Sequence, residues 1–313
     1  MDLEDHRGEV LALARQCRVN TFSTFRRLIL NFENTRRISS TAILYLAAEI
    51  YRCREIGGKR SVTGTYPKDK ALHKQMRDSG FFDVLGVPSN MEGPTERIYP
   101  LEYIKVMAGV GAQGQLAIEL RKKLLGQYAD EMKPQTPEAF FRGLSEAMTN
   151  VAQHAYPEGH RFHKVKPIAK GWWMIGHINK PKKELKIIIV DQGIGIPRSL
   201  PLKYPAEFVQ ELLSLFGVIK PTDGDLISAA MMIGRSRMNA SNRGKGLNDL
   251  RKIIDLCGSG TLRILSNRGE YKYTNGQKEV ISTFEDSLCG TLIEWAVPLH
   301  TVLNLEMDNV QND

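Results

Sequence analysis

Hydrophobic and polar positions alternate along the chain with two different periods. Near the start, FRRLILNF alternates and then runs apolar, which predicts a strand. TAILYLAAEIYRCREI has helical spacing, and GGKRSVTGTY reads as a turn followed by a strand. A second amphipathic stretch, KDKALHKQMRDSGFFDVLGV, closes at Gly86 and Pro88. The turn-forming run SNMEGPTERIYP then places a domain break near residues 88 to 98.

Beyond that break, Gly114 to Tyr128 is a helix candidate, and MKPQTPE punctuates the chain from Met132 to Glu138. Thr136 and Pro137 suit an N-cap and a first-turn proline, with Glu138 placed to favour the helix dipole. The stretch EAFFRGLSEAMTNVAQHAY follows as a helix, with Phe140, Leu144, Ala147, Met148 and Val151 on one apolar face. WWMIGHI and ELKIIIV read as two paired strands joined by a turn at Asn179 to Lys183. LNDLRKIIDL is a further helix, and a glycine-led strand from Gly290 ends at Pro298. The expected organisation is an α/β domain over 1–95, a linker with a helix over 96–135, a second α/β domain over 136–300 and a flexible tail over 301–313.

Composition narrows the classes. With 313 residues, 42% hydrophobic and 25% charged, the chain has the balance of an ordinary globular protein of about two domains. No stretch approaches the roughly 18 apolar residues of a membrane span, and MDLEDHRGEV lacks the plan of a secretory signal, so a cytoplasmic location is expected. Cys17, Cys53, Cys257 and Cys289 lie far apart with no CxxC pair, which fits reduced thiols. The net charge is +8, and eight Lys or Arg between Arg161 and Lys186 stand against the single acid Glu184. That segment could attract phosphates or an acidic partner, but a solvated lysine-rich hairpin is the favoured reading, and nucleic acid is disfavoured as a partner.

Candidate chemistry lies in four places. Glu146, Asn150 and His154 are each four residues apart and form a polar stripe beside the apolar face of their helix. A carboxylate and a carboxamide stacked so can serve a metal-phosphate site, the amide oxygen on Mg²⁺ and the acid orienting or deprotonating an attacking group; alone, such a pair is usually just solvated surface. The strand KIIIV runs into Asp191-Gln192-Gly193-Ile194-Gly195, where Asp191 can accept from an exocyclic amine while Gly193 and Gly195 let a flat ring approach the backbone. Ser241-Asn242-Arg243-Gly244-Lys245-Gly246 opens a helix, so its free N–H groups suit phosphate. Gly290-Thr291 leads the last strand.

In this order these residues resemble the ATP-binding domain shared by gyrase, Hsp90, MutL and histidine kinases, the GHKL or Bergerat fold. The phrase SEAMTNVAQHAYP is most similar to the anti-sigma serine kinases of that superfamily. The resemblance implies a largely antiparallel sheet covered by helices on one face, with ATP and Mg²⁺ as ligands. Asn150 would hold the metal and Glu146 would be the general base. Asp191 would accept the adenine amine, supported by Thr291, with Gly193 and Gly195 shaping the pocket. Arg243, Gly244, Lys245 and Gly246 would bind phosphates, and the stretch from Pro197 to Arg243 would form a lid, with Arg235 and Arg237 as even candidates for the γ-phosphate. His154 reads as a packing or hydrogen-bonding residue beside the nucleotide rather than a phosphoacceptor, since the only upstream histidines are His6 and His73.

The first ninety residues are similar in pattern to a STAS domain. Where that family has an acid, a phosphorylated serine and a glycine, this chain has Ser39-Ser40-Thr41-Ala42. Ser40 or Thr41 could accept phosphate, but Ser39 as a helix cap is preferred. The combined expectation is an Mg-ATP-binding regulatory protein that hydrolyses ATP or phosphorylates a protein Ser or Thr, with a regulatory protein as partner and a homodimer as an option. A catalytically silent, ATP-gated interaction module is the alternative.

Overall fold

The computed structural model describes residues 1–89, 101–111, 133–159, 170–214, 217–236 and 247–303. The fold is mixed α/β and is organised around one seven-stranded sheet, antiparallel at every described pairing. Its strands are β3 (Leu101–Gly109), β4 (Trp172–Asn179), β5 (Glu184–Asp191), β6 (Thr261–Ser266), β7 (Gly269–Thr274), β8 (Val280–Thr283) and β9 (Thr291–Pro298). They lie in the order β3-β4-β5-β9-β6-β7-β8. The β4–β5 hairpin turns at the expected place: Asn179 Oδ1 accepts from Lys182 N–H, and Lys183 takes a left-handed φ of 48°.

Both faces of the central strands are buried, so β5 runs through four consecutive apolar residues, Ile187 to Val190, instead of alternating. On the front face Met174, Ile187, Ile189, Ile293 and Trp295 pack against α5 (Thr136–Asn150), α8 (Asp223–Ser236) and α9 (Asn248–Cys257). Trp295 is fully buried and its Nε1–H donates to the Leu250 carbonyl at 2.8 Å, which satisfies the one polar atom of a large apolar group. Between α5 and α9 the front also carries α6 (Ile196–Lys203) and α7 (Ala206–Ser214), and the described chain ends on the short α10 (Leu299–Val302).

The rear face is covered too, which differs from the expectation of helices on one face only. Trp173, Ile175, Ile188, Val190 and Leu292 share a single apolar core with α1 (Arg7–Phe22) and α2 (Ser40–Gly57). Helix α2 connects β1 (Leu28–Leu30) to β2 (Val62–Gly64), which pair in parallel, and α3 (Lys70–Asp78) and α4 (Phe81–Leu85) follow. Helix α1 was not anticipated, although Val10, Leu11, Ala14 and Cys17 are buried at helical spacing. The amphipathic stretch after β2 is two helices rather than one, broken at Gly80, whose φ is +80°.

The segment assigned to a linker contains β3, an edge strand of the large sheet; its helix candidate, Gly114 to Tyr128, lies outside the described residues, as does most of the tail. Helix α2 starts at Ser40, and Ser39 Oγ accepts from Ala42 N–H at 3.2 Å, as a cap should. Ser40 and Thr41 are both buried: Ser40 meets the Tyr103 hydroxyl at 3.0 Å, and Thr41 donates to Glu294 Oε2 at 2.6 Å. Neither hydroxyl is open to a phosphate donor in this fold. No helix among the described residues is long and apolar enough to cross a membrane.

Candidate functional site

Helix α5 buries Phe140, Leu144, Ala147 and Met148 against the sheet and turns Glu146 and Asn150 toward a cleft. Its first helical residue is Thr136 itself, with Gln135 in the cap position and no side-chain cap bond, so Thr136 does not play the expected capping role. After Asn150 the helix widens into a π turn, Val151–Ala155, a feature often found at functional sites. Here the turn brings the Ala155 carbonyl to the N–H of Ile194 at 2.9 Å, tying the end of the helix to the loop after β5.

The cleft and its solvent-filled mouth together hold about 830 Å³ of open space. Glu146, Asn150, His154, Asp191, Gly195 and Thr291 all line it. Residues from distant parts of the sequence thus meet at one place, while Gly193, expected to shape the pocket, is not among the lining residues. Arg243, Gly244, Lys245, Gly246 and Arg237 lie outside the described residues, as does the side chain of Arg235. Leu247, directly after that segment, lines the same cleft at the start of α9.

Glu146 Oε1 accepts from Asn150 Nδ2 at 2.8 Å, which leaves the amide oxygen of Asn150 as an acceptor for another group. Burial raises the Glu146 carboxyl above its ordinary value, and the nearby Asp249 charge adds to this against opposition from Asn150 and Lys203. A carboxylate raised in this way is a stronger base. His154 Nε2 lies 2.9 Å from Lys203 Nζ, and burial followed by the Lys203 charge holds its ring below the usual histidine range. A neutral ring accepting from the ammonium fits a hydrogen-bonding role.

Asp191 closes β5 directly opposite Thr291 on β9. It is buried, its Oδ1 accepts from Gly193 N–H at 2.8 Å, and it takes further hydrogen bonds from Thr291. Burial still dominates and lifts its carboxyl to about 6. The glycines that follow are required by contact and by conformation. A Cβ on Gly193 would fall 2.3 Å from the Ala155 carbonyl oxygen, and Gly195 sits at φ +80° against the Asn267 side chain.

Several lining residues had no motif to mark them. Ser199, Leu200 and Lys203 come from α6, IPRSLPLK, whose internal Pro201 obscures any helical pattern, and Tyr204 follows it. Ser266 accepts from Ile196 N–H at 2.8 Å and meets Thr291 Oγ1 at 3.0 Å, while Asn267 Nδ2 donates to the Ile194 carbonyl at 2.8 Å. Neither lines the cleft itself: Ser266 ends β6 and Asn267 begins the β6–β7 turn, where a serine and an asparagine read as ordinary strand-end and turn residues. Of the basic segment, Lys186 does not belong to a solvated hairpin: it is turned to the rear face and pairs with Glu294 at 3.1 Å. The chain matches no family model, no curated protein and no solved structure.

Proposed function

We propose that the cleft binds Mg-ATP and that the chain is a regulatory enzyme of the GHKL type, hydrolysing ATP or passing its γ-phosphate to a protein Ser or Thr. The observation that carries this reading is the meeting of Glu146, Asn150, Asp191 and Thr291 in one cleft, with the aspartate buried at a strand end and the Glu–Asn pair on the helix across from it. Asp191 with Thr291 suits the amine edge of adenine, an assignment that also explains why a carboxylate is kept where burial makes its charge costly. The donor set fits a divalent cation: Asn150, whose amide nitrogen is turned to Glu146, presents its amide oxygen, a hard ligand of the type Mg²⁺ prefers. When bound, the metal would neutralise phosphate charge.

Glu146 is the proposed base. Its hydrogen bond from Asn150 fixes its orientation, and its raised affinity for protons suits it to deprotonate water or a hydroxyl. Lys203 borders the same space and supplies positive charge near the phosphate end. The stretch from Pro197 to Arg243 would be the lid, and the N-terminal residues, similar in pattern to a STAS domain, would be the regulatory part through which a protein partner acts.

The test follows γ-labelled ATP in the presence of Mg²⁺ into free phosphate and into protein, for the wild type and for Glu146→Ala. Label released or transferred by the wild type and lost in the variant supports the enzyme. Nucleotide binding with no label movement in either protein would leave the catalytically silent, ATP-gated module.

A further inference from the structure

Gln192 sits between Asp191 and Gly193, is 2% exposed, and is gripped from three sides. Its backbone N–H donates to the Tyr156 hydroxyl at 3.1 Å, its side-chain Nε2 donates to Glu49 Oε2 at 3.0 Å, and its carbonyl accepts from Arg52 Nη1 at 3.0 Å. Arg52 and Glu49 belong to α2, one turn apart and both fully buried. Arg52 Nη2 holds both Glu49 oxygens at 3.0 and 3.1 Å, and Arg18 Nη1 reaches the same carboxylate at 2.8 Å.

A buried ion pair is a weak source of stability, because desolvating both charges cancels most of their attraction. What this pair does locally is more specific. The Gln192 carbonyl and the Gly193 N–H are the two ends of one planar peptide unit. Arg52 holds its oxygen, and its N–H points to Asp191 Oδ1 at 2.8 Å. Fixing one end therefore aims the other, and a cationic donor on the carbonyl polarises the N–H that faces the carboxylate.

We propose that Arg52, held by Glu49, is a positioning residue of the nucleotide pocket: through the Gln192–Gly193 peptide it sets the orientation of the Asp191 carboxylate for the adenine amine. This inference rests on the ATP reading above and extends it to the rear layer of the molecule. It gives α2 a defined task in ligand recognition, in addition to filling the core. The charge of Arg52 also favours the ionised form of Asp191 against the burial that opposes it. Among the described residues, the other titratable groups around that carboxylate are Glu49 on α2, Tyr156 after the π turn, and Glu146, His154 and Lys203 across the cleft.

The test measures Mg-ATP dissociation constants across pH for the full chain and for Arg52→Met, Arg52→Lys and Thr41→Val. Asp191→Asn identifies the part of the pH profile that belongs to Asp191. Arg52→Met should bind about tenfold more weakly, the loss expected for a charged hydrogen bond, and its affinity midpoint should move to higher pH. Arg52→Lys should recover much of both. Thr41→Val cuts a different α2 contact, to Glu294, and should leave both unchanged. Should Arg52→Met fail to fold, the neutral pair Glu49→Gln with Arg52→Gln gives the same readings. Wild-type affinity and midpoint in Arg52→Met, or an equal loss in Thr41→Val, would overturn the inference while the ATP reading stands. A wild type that binds no nucleotide would overturn both.

Discussion

Asp191 concentrates the electrostatics of the site in one carboxylate. Its folded value of about 6 exceeds the ordinary 3.8, so the native state holds a proton that the unfolded chain has already released. The contribution of this group to stability is therefore present below 3.8 and lost as pH rises through about 6. Asp191→Asn should remove that part of the pH dependence, raising stability at neutral pH relative to the wild type in chemical denaturation. Nucleotide behaves oppositely, because the adenine amine prefers the ionised acceptor. Affinity for ATP should therefore climb through about 6 in the wild type and be flatter and roughly tenfold to a hundredfold weaker in Asp191→Asn. Titration calorimetry at pH values on either side of the midpoint checks both effects.

Among the elements, the π turn and the loop after β5 act as a pair, since Gly193 packs directly on the Ala155 carbonyl. Gly193→Val has no room for its side chain without moving that turn, and Asn150 and His154 with it. Nucleotide affinity should fall at least tenfold while far-UV circular dichroism stays near that of the wild type. A variant that binds normally would mean the loop and helix are not coupled. The Glu146, Asn150 and His154 stripe was legible in the sequence because helical spacing alone places residues four apart on one side. The same holds for Asp191, whose position follows from the unbroken apolar strand before it. Lys203 and Tyr204 were not legible, because only the tertiary fold brings a proline-containing helix to this cleft. Helix α1 was missed for a different reason: apolar residues such as Ala12 and Val19 also fall on its exposed side, which blurs the buried stripe of Val10, Leu11, Ala14 and Cys17.

At the scale of the whole molecule, the large sheet carries a core on each face. The sequence pattern indicated two α/β units in succession, but the rear of the sheet and the N-terminal helices share buried side chains, including Trp173, Ile188 and Leu46. The pattern could not reveal this, since a strand buried on both faces does not say what lies on either. The shared core predicts a single cooperative thermal transition, seen by calorimetry; two separated transitions would contradict it. Removing one member of the buried charge group should also be costly. Glu49→Ala leaves Arg18 and Arg52 uncompensated and should lose about 3–5 kcal/mol in denaturant unfolding.

The central claim, that this cleft is a Mg-ATP site built around Asp191, is tested most directly by titrating ATP with Mg²⁺ into the full chain and into Asp191→Ala in the calorimeter. The account predicts saturable one-to-one binding by the wild type, weakened by a metal chelator and lost in the variant. Absence of binding in the wild type, or equal binding in Asp191→Ala, would contradict it.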